Sequence, residues 1–332
     1  MSEQDPLRKN RLGLRTMLLV SGGVLVASSV FLLPNVGLVQ GTAPTTALPD
    51  PPMTSATPGR TAAPSADASP NGKETGTGSS SAAQPLLPVY WLGGVDGQDR
   101  LFREFLRAPT GSVGDPIADA VRLMASSEPL DPDYHSPWRA ASSVSSSIST
   151  KNVITLDISS DAFDASLTPD EARLALQQLV HTATAAAASA ALIAGGESSS
   201  VVVLVDGAAG YRAFDAIDLD GELTRDASTL APVWIIDPQE GVGSDGSLTI
   251  HGLGPASEES LNWRVDRLAD STYKAGTGGT DLFRDGRVDI VPEEGAPGAY
   301  SFSVTLPPGR YEISVAVPTD GEAADTKNVL VR

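Results

Sequence analysis

Three histidines, one group of close carboxylates and one glycine-rich loop are where side-chain types in this 332-residue sequence suggest chemistry. A hydroxyl nucleophile needs an imidazole base that is itself oriented by an acid. His135 lies in the loop Pro132-Asp133-Tyr134-His135-Ser136-Pro137, His181 on the polar stripe of a predicted helix, and His251 at the end of a predicted strand. These contexts are unrelated, and three imidazoles leave little material for a metal cluster. The absence of cysteine removes disulfides, thiolate ligands and thiol nucleophiles. Asp157, Asp161 and Asp164 follow one predicted strand and offer the carboxylates that glycoside cleavage requires, but they equally suit turns and solvation. Gly241-Val242-Gly243-Ser244-Asp245-Gly246 has the G-x-G-x-x-G spacing. A dinucleotide site needs a helix N-terminus after that loop, and here a strand, Leu248–Ile250, follows, so a hairpin loop is expected. Asp218-Leu219-Asp220-Gly221, aligned to a calcium loop, puts Ala216 and Ala227 where the first and last carboxylates belong; it reads as an acidic turn. No catalytic residue, cofactor or metal is therefore expected. The candidate ligand or partner contact is Tyr134, His135 and Trp138, with loop packing as the competing role.

Charge narrows the partners. Asp and Glu number 41 against 23 Lys and Arg, a formal charge of −18, the wrong sign for neutralising phosphates, so no nucleic acid is expected. The hydrophobic fraction of 41% suffices for a core. Residues 1–15 carry Arg8, Lys9, Arg11 and Arg15 and read as a cytoplasmic tail. No charge occurs from Thr16 to Val39, and 24 residues make about 36 Å of helix, enough to cross a hydrocarbon layer of about 30 Å. Basic residues before the span place the bulk of the chain outside the cell membrane. The alternative is secretion after cleavage of a signal peptide, with Gly41-Thr42-Ala43 offering the small residues such a site needs. Residues 41–85 contain eight prolines, no aromatic and one leucine, a composition that cannot offset ordering entropy and reads as a disordered linker.

The next region, 86–227, mixes elements. Leu86–Leu92 and Leu101–Leu106 read as strands. Asp115-Pro116 starts a helix whose apolar face is Ile117, Val121 and Met124. Asn152–Ile158 alternates, with Ile154, Leu156 and Ile158 on one side. Thr168-Pro169-Asp170-Glu171 is a capping box. The helix behind it has an apolar stripe of Ala172, Leu176, Leu179 and Ala183, and an opposite stripe that includes Gln177, His181 and Thr184. Gly195-Gly196 would end it, and Val201–Val205 is a strand running into Asp206-Gly207. The expected fold is an α+β sandwich with helices on one sheet face.

The strand VYWL, the helix start DPIADAVRLM, the strand VITLDIS, and LALQQLVHTAT followed by VVVLVDG together resemble the GerMN domain of bacterial spore-germination and sporulation proteins. The resemblance covers nearly all of 86–227 and implies an α+β GerMN-like fold with no catalytic residues to carry over.

From Pro232 the pattern changes to short alternating strands: Val233/Ile235, Leu248/Ile250, Leu261/Trp263/Val265, Tyr300 to Leu306 and Tyr311 to Val317. Turns are expected at Ser244-Asp245-Gly246, Asp285-Gly286, Pro307-Pro308-Gly309 and Asp320-Gly321. Such a pattern over 231–332 predicts an all-β sandwich. Trp263 is expected at its centre, where truncation to alanine would cost about 3–5 kcal/mol. PVWIIDPQEG, LTIHG and LNWRVDR are similar to the immunoglobulin-like domain found beside GerMN domains.

The two resemblances imply a non-enzymatic, membrane-anchored, extracytoplasmic cell-envelope protein that binds, assembles or senses in germination or sporulation systems. Its partner would be an envelope or membrane protein or a wall component. The alternatives are a wall hydrolase using carboxylates and a receptor module for a small ligand.

Overall fold

The computed structural model describes residues 84–112, 114–193, 197–276, 279–293, 296–318 and 325–332. The basic tail, the Thr16–Val39 segment and the linker, apart from its last two residues, lie outside them, as do Gly195-Gly196 and Asp320-Gly321. Among the described residues no helix is long and apolar enough to cross a membrane. Residues 85–332 belong to one compact unit, built of two lobes that meet across a buried seam.

The first lobe opens on a hairpin of β1 (Leu86–Val95) and β2 (Gln98–Arg107). Asp96 and Gly97 turn it, both at positive φ (50° and 74°), the backbone that a two-residue type I′ loop needs. Next comes α1 (Pro116–Ser126), whose first turn is capped by Asp115 accepting from the Ala118 N–H at 2.9 Å. Short β3 (Tyr134–His135) adds to β1 at Leu92 and Gly93. β4 (Val144–Ile148) and β5 (Val153–Ile158) pair antiparallel. β5 and β6 (Ser200–Val205) run parallel, so a crossover must join them. The crossover contains α2 (Pro169–Ser189), which starts at the Thr168/Glu171 capping box as the sequence predicts. Its end differs: the helix stops at Ser189, before the glycines, and Ala191 turns the chain at φ 55°. A small ribbon of β7 (Arg212–Ala213) and β8 (Ile217–Asp218) follows, and β9 (Leu223–Thr224) closes the sheet β4-β5-β6-β9.

Of the polar stripe expected on α2, Asp170 and Arg173 are exposed and Gln177 is half-buried, but His181 and Thr184 are buried. Gln178 and Thr182, on another side of the helix, are buried as well, because the helix lies alongside β1 where β3 leaves that strand unpaired. Thr182 Oγ1 accepts from the Tyr90 N–H at 3.1 Å, and the Gln178 amide donates to the Tyr90 carbonyl at 2.8 Å. Two helix side chains thus do the work of a neighbouring strand. Thr182→Val, which keeps the branched shape but leaves that N–H without an acceptor, should cost about 1–3 kcal/mol. A denaturant midpoint equal to wild type would contradict this. Ala172, Ala175, Ala183, Ala186 and Ala187 are fully buried and let the helix approach closely.

The second lobe is the predicted all-β sandwich. Its first sheet has the order β10-β12-β16-β15: β10 (Trp234–Asp237), β12 (Ser247–Gly254), β16 (Ala296–Thr305) and β15 (Val291–Glu293). The second is β11-β18-β17-β13-β14: β11 (Gly243–Ser244), β18 (Asp325–Val331), β17 (Gly309–Ala316), β13 (Ser260–Leu268) and β14 (Thr280–Asp289). This is the immunoglobulin arrangement, four strands against three with extra edge strands. Its corner is present too: Tyr311, fully buried near the start of β17, donates its hydroxyl to the Pro307 carbonyl at 2.9 Å.

Three expectations change here. Trp263 is only half-buried; with no disulfide to cover, it stacks on Phe302 at 4.6 Å and lies over Gly286. The centre is instead Tyr311, Ile250, Leu261, Val265 and Ile313, so the cost expected for a fully buried tryptophan does not apply. Asp285-Gly286 is not a turn but the middle of β14, where a Cβ at Gly286 would sit 2.6 Å from the Trp263 ring. Finally, the Gly241–Gly246 loop is not a hairpin. It carries the chain from β11 in one sheet to β12 in the other, with no helix following.

Candidate functional site

Tyr134, His135 and Trp138 do not form one surface. Trp138 is buried in the first lobe, its indole N–H donating to the Ala175 carbonyl at 3.2 Å and its ring edge-on to Phe163 and Phe214. Tyr134 is buried as well, stacked on Phe102 at 4.6 Å. His135 alone faces solvent, with Nε2 3.5 Å from the Asp99 carboxylate. Strand alternation explains the split, since adjacent residues of β3 point to opposite faces.

What Tyr134 touches is the second lobe. Its hydroxyl donates to Asp325 Oδ1 at 2.8 Å and accepts from Lys327 Nζ at 2.6 Å. Lys327 Nζ also donates to Asp131 and, at 3.1 Å, to Asp325, and lies 4.4 Å from the centre of the Tyr134 ring. Asp325 accepts from the Ile235 N–H at 2.6 Å through its other oxygen. Glu104 accepts from the Leu130 and Asp131 N–H groups at 2.8 and 2.9 Å, fixing the loop that presents Asp131. Glu104, Asp131, Asp325 and Lys327 are each buried. Burial works to lower the Lys327 pKa, but the Asp325 and Asp131 carboxylates outweigh it and hold the ammonium above its ordinary range. Burial raises Glu104 despite its two N–H donors.

Around this knot the main chains also join. Ala231 N–H donates to the Leu101 carbonyl at 3.0 Å, and the Gln239 side chain bonds both the N–H and the carbonyl of Phe105, completing part of the outer edge of β2. Trp234, from the second lobe, is buried in the apolar core of the first. The seam fixes each lobe against the other.

The remaining candidates are engaged singly. Asp161 accepts from Ser142 and Ser159, hydrogen bonds that lower its pKa. Asp157 accepts from the Gly207 N–H at 2.9 Å, and Asp218 pairs with Arg212 at 2.8 Å. His181 contacts the Asp226 carbonyl at 3.2 Å, while His251 lies within β12 rather than at a strand end, opposite Ser301 and Asp237. Among the described residues no histidine bonds a serine or threonine hydroxyl, and no three His, Asp or Glu side chains converge as a metal site would require.

The exposed feature of the second lobe is β14. It is the edge of its sheet, and nearly every residue along it reaches solvent, including Leu282 and Phe283. Beside it runs a groove of about 460 Å³ lined by Trp263, Arg264, Leu282, Asp285, Arg287 and Ser314, among others. Such an edge offers a row of main-chain donors and acceptors to an added strand.

Residues 88–210 match the Germane family, described as sporulation and spore germination. No curated protein matches the chain. Among solved structures, the tandem GerMN domains of the sporulation protein GerM from Bacillus subtilis are similar at 18% identity and a TM-score of 0.33, over 46% of this chain and 50% of that one. The chain thus spans half of that tandem structure. The first GerMN domain of the same protein is similar at 12% identity and a TM-score of 0.32, over 42% of this chain and 97% of that one. A β-glucosidase from Listeria innocua is similar at 16% identity and a TM-score of 0.21, over 30% of this chain and 16% of that one, too partial a likeness to transfer any chemistry. The match to the sporulation and spore-germination family thus falls on residues 88–210, within the first lobe of this chain.

Proposed function

We propose that this chain is a non-enzymatic, membrane-anchored protein of the bacterial cell envelope whose extracytoplasmic part binds or assembles with an envelope partner in sporulation or germination. The observation that carries this reading is the seam. A buried ion pair, a shared apolar core and main-chain bonds hold the GerMN domain and the sandwich in one arrangement, which suits a contact surface better than a cleft that must open. The uncharged Thr16–Val39 segment behind four basic residues supplies the anchor, and the Pro-rich 41–85 stretch supplies reach.

The test uses the full chain in bacterial cells with a C-terminal tag. The tag should sediment with membranes, be removed by protease added outside the cells, and copurify in detergent with one envelope protein after crosslinking. A tag protected from external protease, or purified full chain that degrades isolated wall, would sink the proposal.

A further inference from the structure

We propose that Arg103, Arg225 and the Tyr90 hydroxyl form an oxyanion-binding site on the first lobe, taking the carboxylate or phosphate group of a small ligand. It lies apart from the seam and does not depend on the envelope reading. Tyr90 and Arg103 are directly opposite in the β1–β2 ladder, so their side chains share a face. On that face Tyr90 meets the His181 ring at 5.2 Å. Arg225 reaches the same place from the connection after β9, donating through Nε to Thr184 Oγ1 at 2.5 Å and through Nη2 to the His181 carbonyl at 3.4 Å.

The anomaly is the charge. Both residues are half-buried, and burial, with a smaller effect of the Arg103 charge, lowers the Arg225 pKa. Neither has a carboxylate partner among the described residues, although acids outnumber bases 41 to 23 in the chain. Among the described residues the Arg103 side chain makes no hydrogen bond; its guanidinium lies 5.2 Å from the Phe105 ring centre, and its Nε is buried without an acceptor. Among the described residues Arg225 Nη1 has no acceptor. The His181 imidazole beside this pair is held neutral, chiefly by burial and then by Arg225 itself, so it adds no third positive charge. Two arginines that reach the surroundings of Tyr90 and His181 from different elements offer the planar forks that carboxylate and phosphate oxygens fit. Partial burial removes the water that would otherwise screen them. An oxyanion in this place relieves the repulsion and gives Arg103 Nε the acceptor it lacks.

The experiment titrates the purified full chain with inorganic phosphate and, separately, with acetate, each against chloride at constant ionic strength, and follows Tm. A ligand that binds only the folded state raises Tm with the logarithm of its concentration once that exceeds the dissociation constant, here by about 5 °C at 50–100 times that constant. Arg103→Gln should abolish that rise while leaving the unliganded Tm within about 2 °C, since the Arg103 side chain makes no hydrogen bond among the described residues. Arg103→Lys, which keeps the charge without the fork, should weaken binding about tenfold. Whether phosphate or acetate acts identifies the group. The proposal fails if neither moves Tm more than chloride does, or if Arg103→Gln responds as the wild type does.

Discussion

Replacing Lys327 with methionine lowers the unfolding free energy of the full chain by about 3–5 kcal/mol. The substitution leaves Asp131 and Asp325 buried against each other with the Tyr134 hydroxyl between them, and an uncompensated buried charge is the costly outcome of breaking such a pair. Most of the loss should return when Asp131→Asn and Asp325→Asn are added, because a neutral cluster of similar shape carries no stranded charge. If the single variant unfolds at the wild-type denaturant concentration, the seam does not hold the lobes. A second reading of the same side chain comes at alkaline pH. The folded Lys327 pKa lies above 10.5, so its contribution is complete below pH 10.5 and fades as pH rises through the folded value. Stability above pH 10.5 should therefore fall more steeply in the wild type than in Lys327→Met, by about 1.4 kcal/mol per pH unit for one proton.

Between pH 6.5 and 4 the chain loses about 3 kcal/mol of stability through His181 alone. Burial, and after it Arg225, pushes this imidazole down to about 3 in the folded state, whereas in the unfolded chain it takes its proton near 6.5. The unfolded state thus binds more protons throughout that window, so the stabilisation present above pH 6.5 drains away on acidification. His181→Gln should flatten the profile by about 1.4 kcal/mol per pH unit over the interval. Denaturant midpoints at pH 7, 5.5 and 4 decide it, with carboxylate titrations common to both proteins. Parallel profiles would mean that the imidazole is not buried as described.

Local chemistry was legible in the sequence and tertiary partnership was not. The Asp115 and Thr168 caps, the alternation of β5 and the strand after the Gly241–Gly246 loop depend on neighbours within a few residues, and all are found as read. His181 and Thr184 read as the polar stripe of the helix, opposite its apolar one, by residue type and spacing alone. Nothing local reveals that a connection more than forty residues later covers them. Asp285-Gly286 has turn chemistry, yet the need for a small residue under the Trp263 ring decided its place in a strand. The seam did leave a trace. Asp325 and Lys327 occupy the inward positions that Val329 and Val331 continue, and charges on the buried side of an alternating strand call for buried partners. That partners lie near residue 131, almost two hundred positions upstream, is set by the topology alone.

The seam also governs how the molecule can be divided. A fragment ending at Leu230 would bare Asp131 and Tyr134 without their cation and uncover apolar surface where Trp234 had docked. The sandwich produced alone would present Lys327, Asp325 and the Trp234 indole to water. Each half would carry a sticky, mischarged scar, so the two modules are best handled as a single piece.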